Sequence, residues 1–475
     1  MSPVAIIMII YLAAMIGIGL YAKRRVSNTE DYQLAGRRLG PIMIAGTLAA
    51  TEIGGGSSVG VAAKAHGDWG LSAGWYVVSA GIGILLVTFV APHLRRSMAT
   101  TVPEILRRRY GKGAQTITST VSVLSLTALT AVQITATATI ASVLAGVPMR
   151  PAILVTGIGT IIYTWLGGMW SVTLTDFVQF FLIVFGFAIA VPYALNAAGG
   201  WTSVVDRLPE GHLGFTKIGW PTIIGLIVLY FMTFSTGQEA VQRYFSAKSA
   251  KAAVWGSILC GLLMSIYAFI PAVIGLIAKA QFPDIASNNA LAEVSVNLLP
   301  PIIAGLLLSA VVSATLSSAS GDMLGAATVY VRDIHGTFIG KLDDQKELRM
   351  SRMVIIGVGV IATTIALMSQ AIIPLLVFAF TIRSTGPFAA FIFALIWPKT
   401  SRMAGLASVV VGTVVGFGWE IAEQPFGLMS VIAGSVAGVV VFLALHLIDR
   451  KRGRLVGDAE GPAVDEQRAE PALQS

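Results

Sequence analysis

The sequence predicts an all-α integral membrane protein with about 13 transmembrane helices. Two observations carry that prediction. Of 475 residues, 55% are hydrophobic and only 12% charged, about half the charge of an ordinary soluble domain; mean hydropathy is +0.79. Apolar runs of spanning length also recur from one end of the chain to the other. A soluble chain of this length needs far more charge to cover its surface. A soluble enzyme, a nucleic-acid-binding module and a secreted disulfide scaffold are therefore excluded. Cys260, the single cysteine, cannot form an intrachain disulfide.

Taken in order, the runs lie near 4–22, 41–65, 70–91, 115–146, 151–168 and 170–195, then 219–243, 252–280, 300–330, 351–370, 372–397, 402–421 and 426–448. The first has no basic residue before it, Lys23, Arg24 and Arg25 after it, and no small-residue cleavage site, so it reads as a retained helix rather than a signal peptide. An odd number of crossings puts the termini on opposite sides. With the N-terminus outside, 26 of the 32 Lys and Arg residues fall in inner loops, 5 outside, and Arg383 within a span. The positive-inside rule therefore selects an outer N-terminus and a cytoplasmic C-terminus. The division that follows is 1–40 for an extra helix and inner loop, 41–195 and 219–397 for two five-span units, 196–218 for an external loop, 398–450 for two final helices and 451–475 for a tail. That tail is acidic, contains proline and has no apolar periodicity, so it reads as disordered.

No GxxxxGK[ST] phosphate loop, HExxH motif or Cys/His cluster is present in the sequence, and the chain does not read as an enzyme. The polar residues point elsewhere. Thr51-Glu52-Ile53-Gly54-Gly55-Gly56-Ser57-Ser58 puts three glycines and a carboxylate in the middle of the second span. Three glycines cost a helix about 3 kcal/mol relative to alanine, and a centred acid about 2.5 kcal/mol or more by insertion scales. The seventh span is interrupted in the same way at Phe231-Met232-Thr233-Phe234-Ser235-Thr236-Gly237-Gln238-Glu239. Paired interruptions in corresponding spans mark a transporter's midplane binding site, because unwound backbone is tolerated there only where it lines a cavity. In the ninth span Ser309, Ser313, Ser317 and Ser320 form one hydroxyl stripe, flanked by Ala310, Ala314, Ser318 and Asp322 at steps of four. Small neutral oxygens of this kind suit a monovalent cation, although serines in such helices also bond their own backbone.

Four stretches carry a family resemblance: Thr101-Val102-Pro103-Glu104-Ile105-Leu106-Arg107-Arg108-Arg109-Tyr110-Gly111, Gly167-Gly168-Met169-Trp170-Ser171-Val172-Thr173-Leu174-Thr175-Asp176-Phe177-Val178-Gln179, Gln242-Arg243-Tyr244-Phe245-Ser246-Ala247-Lys248, and Ala314-Thr315-Leu316-Ser317-Ser318. Together, over about residues 4–450, they resemble the sodium/solute symporter family, whose members carry proline, sugars, sialic acid and choline. The resemblance implies a five-plus-five inverted-repeat core of the leucine-transporter type. It also implies a sodium ion held by the backbone carbonyls of Ala50, Ile53 and Ala314 and the hydroxyls of Ser317 and Ser318. Some members hold a second sodium with residues matching Asp176, Ser317, Ser320 and the next position. That position is Gly321 here, so Asp176 could instead tune the first site, carry a proton, or pair with a loop arginine. Glu52 falls where proline-type members carry an aspartate, and is expected to add field strength near the ion.

Function then reads as sodium-coupled uptake of a small organic solute by a multi-pass protein of the cell membrane. No nucleic-acid partner and no obligate protein partner are inferred; membrane lipid surrounds the chain. Candidate solute contacts are Ser57, Ser58, Trp75 or Tyr76, Gln133, the Tyr230–Gln238 break with Phe231, Phe234 and Gln238, and Arg383. A deep arginine needs a partner. Arg383 is expected either to form an ion pair with Glu52 or Asp322, or to clamp a substrate carboxylate. The second possibility favours an amino or organic acid. A quaternary amine such as choline is the alternative, as is a proton-coupled or channel-like protein on the same scaffold.

Overall fold

The computed structural model describes residues 34–457 except 168, together with positions 6, 7, 10 and 17; the side chains of 166–175, 177 and 178 are not included. Most of the expected first span and the tail beyond 457 lie outside the described residues. Among those described there is no β-strand, only two isolated bridges, Leu39 with Ala247 and Thr400 with Val456.

Pro41 opens α1, Pro41–Glu52, where a missing N–H is harmless in the first turn. The helix stops at Ile53, whose φ of −80° and ψ of 58° leave the helical region. A π-helical turn at Gly56–Gly60 then leads into α2, Val61–His66. The second apolar run is thus broken at its glycines, as its composition predicts. α3, Trp75–Val87, α4, Lys112–Ala145, α5, Met149–Gly167, and α6, Met169–Ala197, follow. α7, Trp220–Thr236, and α8, Gln238–Phe245, meet at Gly237 with a bend of 52°, the second predicted break.

Next come α9, Ala250–Tyr267, α10, Ile270–Gln281, α11, Pro301–Val329, and α12, Asp344–Met368. α13, Ile372–Ser384, and α14, Pro387–Ile396, bend by 50° at Thr385-Gly386. The run 372–397 reads as one uninterrupted span, so this bend is a correction. Its cause is Pro387, which cannot continue the hydrogen-bond ladder. α15, Arg402–Ile421, and α16, Ser430–Lys451, close the bundle.

Among the described residues, eight helical segments are long and apolar enough to cross a membrane, or ten when each bent pair counts as one span. α11 lies at the centre, 78% of its apolar window being buried, against 33% for α15 and α16. Outer faces carry exposed Val155, Phe185, Ile266 and Val414, as a lipid-facing surface requires. At the Arg-rich end, the short helix Val102–Tyr110 is capped by Thr101, which accepts from Glu104 N at 3.2 Å. Arg109 donates to Trp397 O at 2.8 Å and Ala394 O at 3.0 Å, and Tyr110 to Ala390 O at 2.8 Å. The Thr101–Gly111 stretch therefore clamps the end of α14. Arg243 is a second correction. Counted by sequence among inner-loop cations, it lies on α8 and is 1% exposed.

Candidate functional site

The break in α1 creates the site's oxygen donors. Ile53 N reaches back to Ala49 O at 2.7 Å, and the ladder resumes only with Ser58 N to Gly54 O at 3.2 Å and Gly60 N to Gly55 O at 2.8 Å. Among the described residues, no backbone donor beyond the break meets the carbonyls from Ala50 to Ile53. Side chains meet three of them. Ser318 on α11 donates to Thr51 O at 2.9 Å and lies 3.5 Å from Ala50 O, while Ser57 donates to Glu52 O. A Cβ at Gly54 would come within 2.8 Å of Ser318 Oγ and 2.9 Å of Gln133 Oε1, so the approach of α11 and α4 requires glycine there. Gln133 fixes the unwound strand by accepting from Gly55 N at 2.8 Å.

Directly behind Ser318 lies a fully buried charge cluster. Asp176 on α6 accepts from Thr47 Oγ1 at 2.6 Å and from Ser317 Oγ. Arg243 Nη2 lies 3.6 Å from the same carboxylate, its Nε donates to Thr47 Oγ1 at 3.2 Å, and its Nη1 donates to Glu239 O. Asp176 thus has an arginine partner, as one reading of it expected, but that arginine comes from α8 rather than a loop. One turn along, Gln179 donates to Ser313 Oγ at 2.6 Å. The serine stripe therefore faces α6 through Ser313 and Ser317, whose hydroxyl oxygen keeps its lone pairs, while neighbouring Ser318 turns to the break. Ser309 bonds Gly305 O, and Ser320 bonds Leu316 O at 2.9 Å with Thr164 Oγ1 also at 2.9 Å. Ser320 therefore faces α5, away from Asp176.

On the other side of the break lies a small polar cavity. Thr51, Glu52, Gly56 and Ser57 from the broken segment line it, with Tyr76, Leu129, Gln133, Tyr230, Glu239, Asp322, Leu376 and Phe380. Tyr230 meets Tyr76 edge-on at 5.4 Å and Phe380 at 5.8 Å, forming an aromatic wall. Three carboxylates reach this space. Glu239 is bound through both oxygens by Arg383, whose guanidinium also lies 4.9 Å above the Phe380 ring. The expected partners of Arg383 were Glu52 or Asp322; the bend at Gly237 brings Glu239 there first. Neither the Glu52 nor the Asp322 carboxyl group has a hydrogen bond or ion pair among the described residues.

The solute candidates accordingly divide. Ser57, Tyr76 and Gln133 line the cavity. Ser58 does not: its hydroxyl shares a 2.9 Å hydrogen bond with Tyr267. Phe234 is fully buried, stacked on Tyr230 at 5.5 Å. Gln238 is turned to the Arg-rich end, accepting from Val102 N at 3.1 Å and donating to Thr100 O at 3.0 Å. Trp75 donates to Phe215 O at 2.9 Å. Glu239 was missed as a site residue. Its signal was present: Gly237-Gln238-Glu239 is Glu52-Ile53-Gly54 with the order of glycine and acid reversed.

Two interrupted helices around a polar midplane cavity within a multi-pass helical bundle define the class: a secondary membrane transporter, not an enzyme. A family model, the sodium:solute symporter family, matches residues 32–412. The chain belongs to that family. It is 25% identical to the sodium/proline symporter of Escherichia coli (strain K12), covering 94% of each chain. It is 26% identical to the sodium/pantothenate symporter of the same organism, covering 86% of this chain and 88% of that one. Its fold is shared with a Na+-coupled sialic acid symporter solved in a substrate-bound outward-open state, with a TM-score of 0.80, 20% identity, and 94% and 98% of the two chains covered.

Proposed function

We propose that this protein takes up a small organic solute together with sodium, and that the ion sits between the α1 break and α11. Its ligands would be the carbonyls of Ala50, Ile53 and Ala314 and the hydroxyls of Ser317 and Ser318. The observation that carries this reading is the hydroxyl of Ser318 lying against Ala50 O and Thr51 O, carbonyls freed by the break. Asp176 contributes negative field through Ser317, its charge being balanced by Arg243. With Gly321 and the outward-turned Ser320, the surroundings of Asp176 do not support a second ion there. Solute occupies the cavity beside Ser57, Tyr76 and Gln133. The N-terminus faces outward, and the two units 41–195 and 219–397 rock about the midplane.

The test is uptake into proteoliposomes of labelled proline, glucose, pantothenate and organic amines, with sodium replaced by potassium at fixed membrane potential. Ser318→Ala removes one oxygen, worth about 1–2 kcal/mol. The sodium concentration for half-maximal uptake should rise roughly 5- to 30-fold, and Ser317→Ala should act in the same direction. Unchanged sodium dependence in both variants would refute the site, and unsaturable, ion-independent flux would favour a channel. The reason to expect a carboxylate-bearing solute was a guanidinium free to clamp it. Glu239 already engages that guanidinium.

A further inference from the structure

Two carboxyl groups in the cavity lack a partner, and that lack points to a class of ligand. Glu52, Glu239 and Asp322 line one space, and the cation nearest them, Arg383, is bound through Nη1 and Nη2 to Glu239. The carboxyl groups of Glu52 and Asp322 are left with no hydrogen bond or ion pair among the described residues. Asp322 is only 3% exposed, so water does little to stabilise it as an ion. A second, independent group points into the same space. Gln133 is 6% exposed and its Oε1 is engaged by Gly55 N, while its Nε2 has no partner among the described residues. Three unsatisfied polar groups from α1, α4 and α11 therefore converge on one space.

We propose that this cavity binds a small solute carrying a protonated amine, its ammonium N–H groups shared between Glu52 and Asp322. The proposal rests on the transporter reading above and names its substrate class. Ionised carboxylates accept hydrogen bonds and donate none, whereas an ammonium offers three donors. A quaternary ammonium carries the charge but no N–H, so it leaves both acceptors without a hydrogen bond. An anionic solute adds a third negative charge at close range. A neutral sugar leaves both charges uncompensated. Tyr76, Tyr230 and Phe380 provide an apolar wall for the solute's carbon body and a π face for its cation. The Gln133 amide is placed to donate to a carbonyl or hydroxyl elsewhere on the molecule. Charge also closes: with one sodium ion at the break and one organic cation in the cavity, the two unpaired carboxylates are matched.

The experiment is equilibrium binding to the purified full-length protein, read by intrinsic tryptophan fluorescence and thermal shift in sodium and in potassium chloride. Probes are matched sets: benzylamine, benzyltrimethylammonium and benzoate, then n-butylamine, n-butyltrimethylammonium and valerate. Proline, glucose and pantothenate are included. Ammonium probes should saturate and bind at least 10-fold more tightly than their quaternary and carboxylate counterparts. Asp322→Asn should weaken them at least 10-fold while the sodium-induced thermal shift persists; Glu52→Gln, on a different helix, repeats the test if that variant does not fold. Tighter binding of a carboxylate or sugar, no binding of any ammonium probe, or ammonium binding unchanged in both variants overturns the proposal. Ammonium binding that ignores sodium would instead sink the sodium reading and leave this one standing. Sodium-dependent binding of glucose or pantothenate without the amines would do the reverse, whereas proline, itself a secondary ammonium, counts with the amines.

Discussion

Glu239→Gln tests the most consequential contact in the site. Arg383 and Glu239 expose only 1% and 3% of their side chains, so each charge depends on the other in place of water. Removing one member of such a pair leaves an uncompensated buried ion and costs about 3–5 kcal/mol. The cost should be asymmetric. Glu239 lines the cavity and can gain some hydration if Arg383 is lost, whereas Arg383 is not among the cavity-lining residues. Glu239→Gln should therefore fall near the top of that range and Arg383→Gln near the bottom. The double variant should recover about half the sum, because two neutral amides can bond each other. Reversible unfolding in mixed detergent micelles measures all three, and the double-mutant cycle isolates the pair. Singles costing under about 1 kcal/mol, or strictly additive effects, would mean that Arg383 finds another partner. Arg383 would then be free to clamp a substrate carboxylate.

Other contacts make narrower predictions. Gly54→Ala puts a Cβ 2.8 Å from Ser318 Oγ and 2.9 Å from Gln133 Oε1. It should cost about 1–3 kcal/mol of stability by overpacking and abolish sodium-dependent uptake; wild-type transport in this variant would show that the break need not be held against α11. Thr47→Val keeps the side chain's shape but removes its hydrogen bonds with Asp176 and Arg243. Loss of bonds to charged groups should destabilise the fold by about 1.5–3 kcal/mol, measured by the same unfolding assay. His212 lies in the loop before α7, its Nε2–H donating to Ala65 O at 2.9 Å and Lys217 donating to its Nδ1 at 3.2 Å. Burial, helped by the adjacent lysine, pushes its pKa below the usual imidazole range. The unfolded chain, titrating near about pH 6.5, then binds more protons than the folded one as pH falls. His212's contribution to stability should be complete above that pH and decline below it, and thermal midpoints across the acid range should fall less steeply in His212→Gln.

Both predicted breaks were legible because glycine and carboxylate in an apolar span are costly wherever they sit, and that cost is a property of the chain alone. Ser318 was singled out by the resemblance of Ala314-Thr315-Leu316-Ser317-Ser318 to the family's motif and not by its own chemistry, since a serine in such a helix can simply bond its own backbone. Partner choice was not legible. Arg383 could have met any acid at its depth, and the bend at Gly237, not the sequence spacing, delivers Glu239. Arg243 follows a polar stretch and reads as a loop cation, until the pivot of α8 carries it inward onto Asp176. Gln238 shows the same limit. Its neighbour faces the cavity, while its own amide lies on the opposite face of a two-turn helix and ties down the backbone near Val102. The third bend had a signal that went unread: Gly386-Pro387, directly after Arg383-Ser384-Thr385, is itself a helix-breaking pair.

The α1 break connects the two halves of the proposed mechanism through a single residue. Thr51 accepts the Ser318 hydroxyl through its carbonyl and also lines the cavity. Glu52 beside it has its carbonyl bound by Ser57 and its carboxylate in the solute's space. An ion that orders the carbonyls from Ala50 to Ile53 therefore also orders the acid that would meet the solute, without any long path between them. Each ligand then lowers the ordering cost for the other, and thermodynamics requires the factor to be the same in both directions. Three glycines are well suited to this role. They make the segment too costly to hold in one conformation unaided, so its order depends on what it binds.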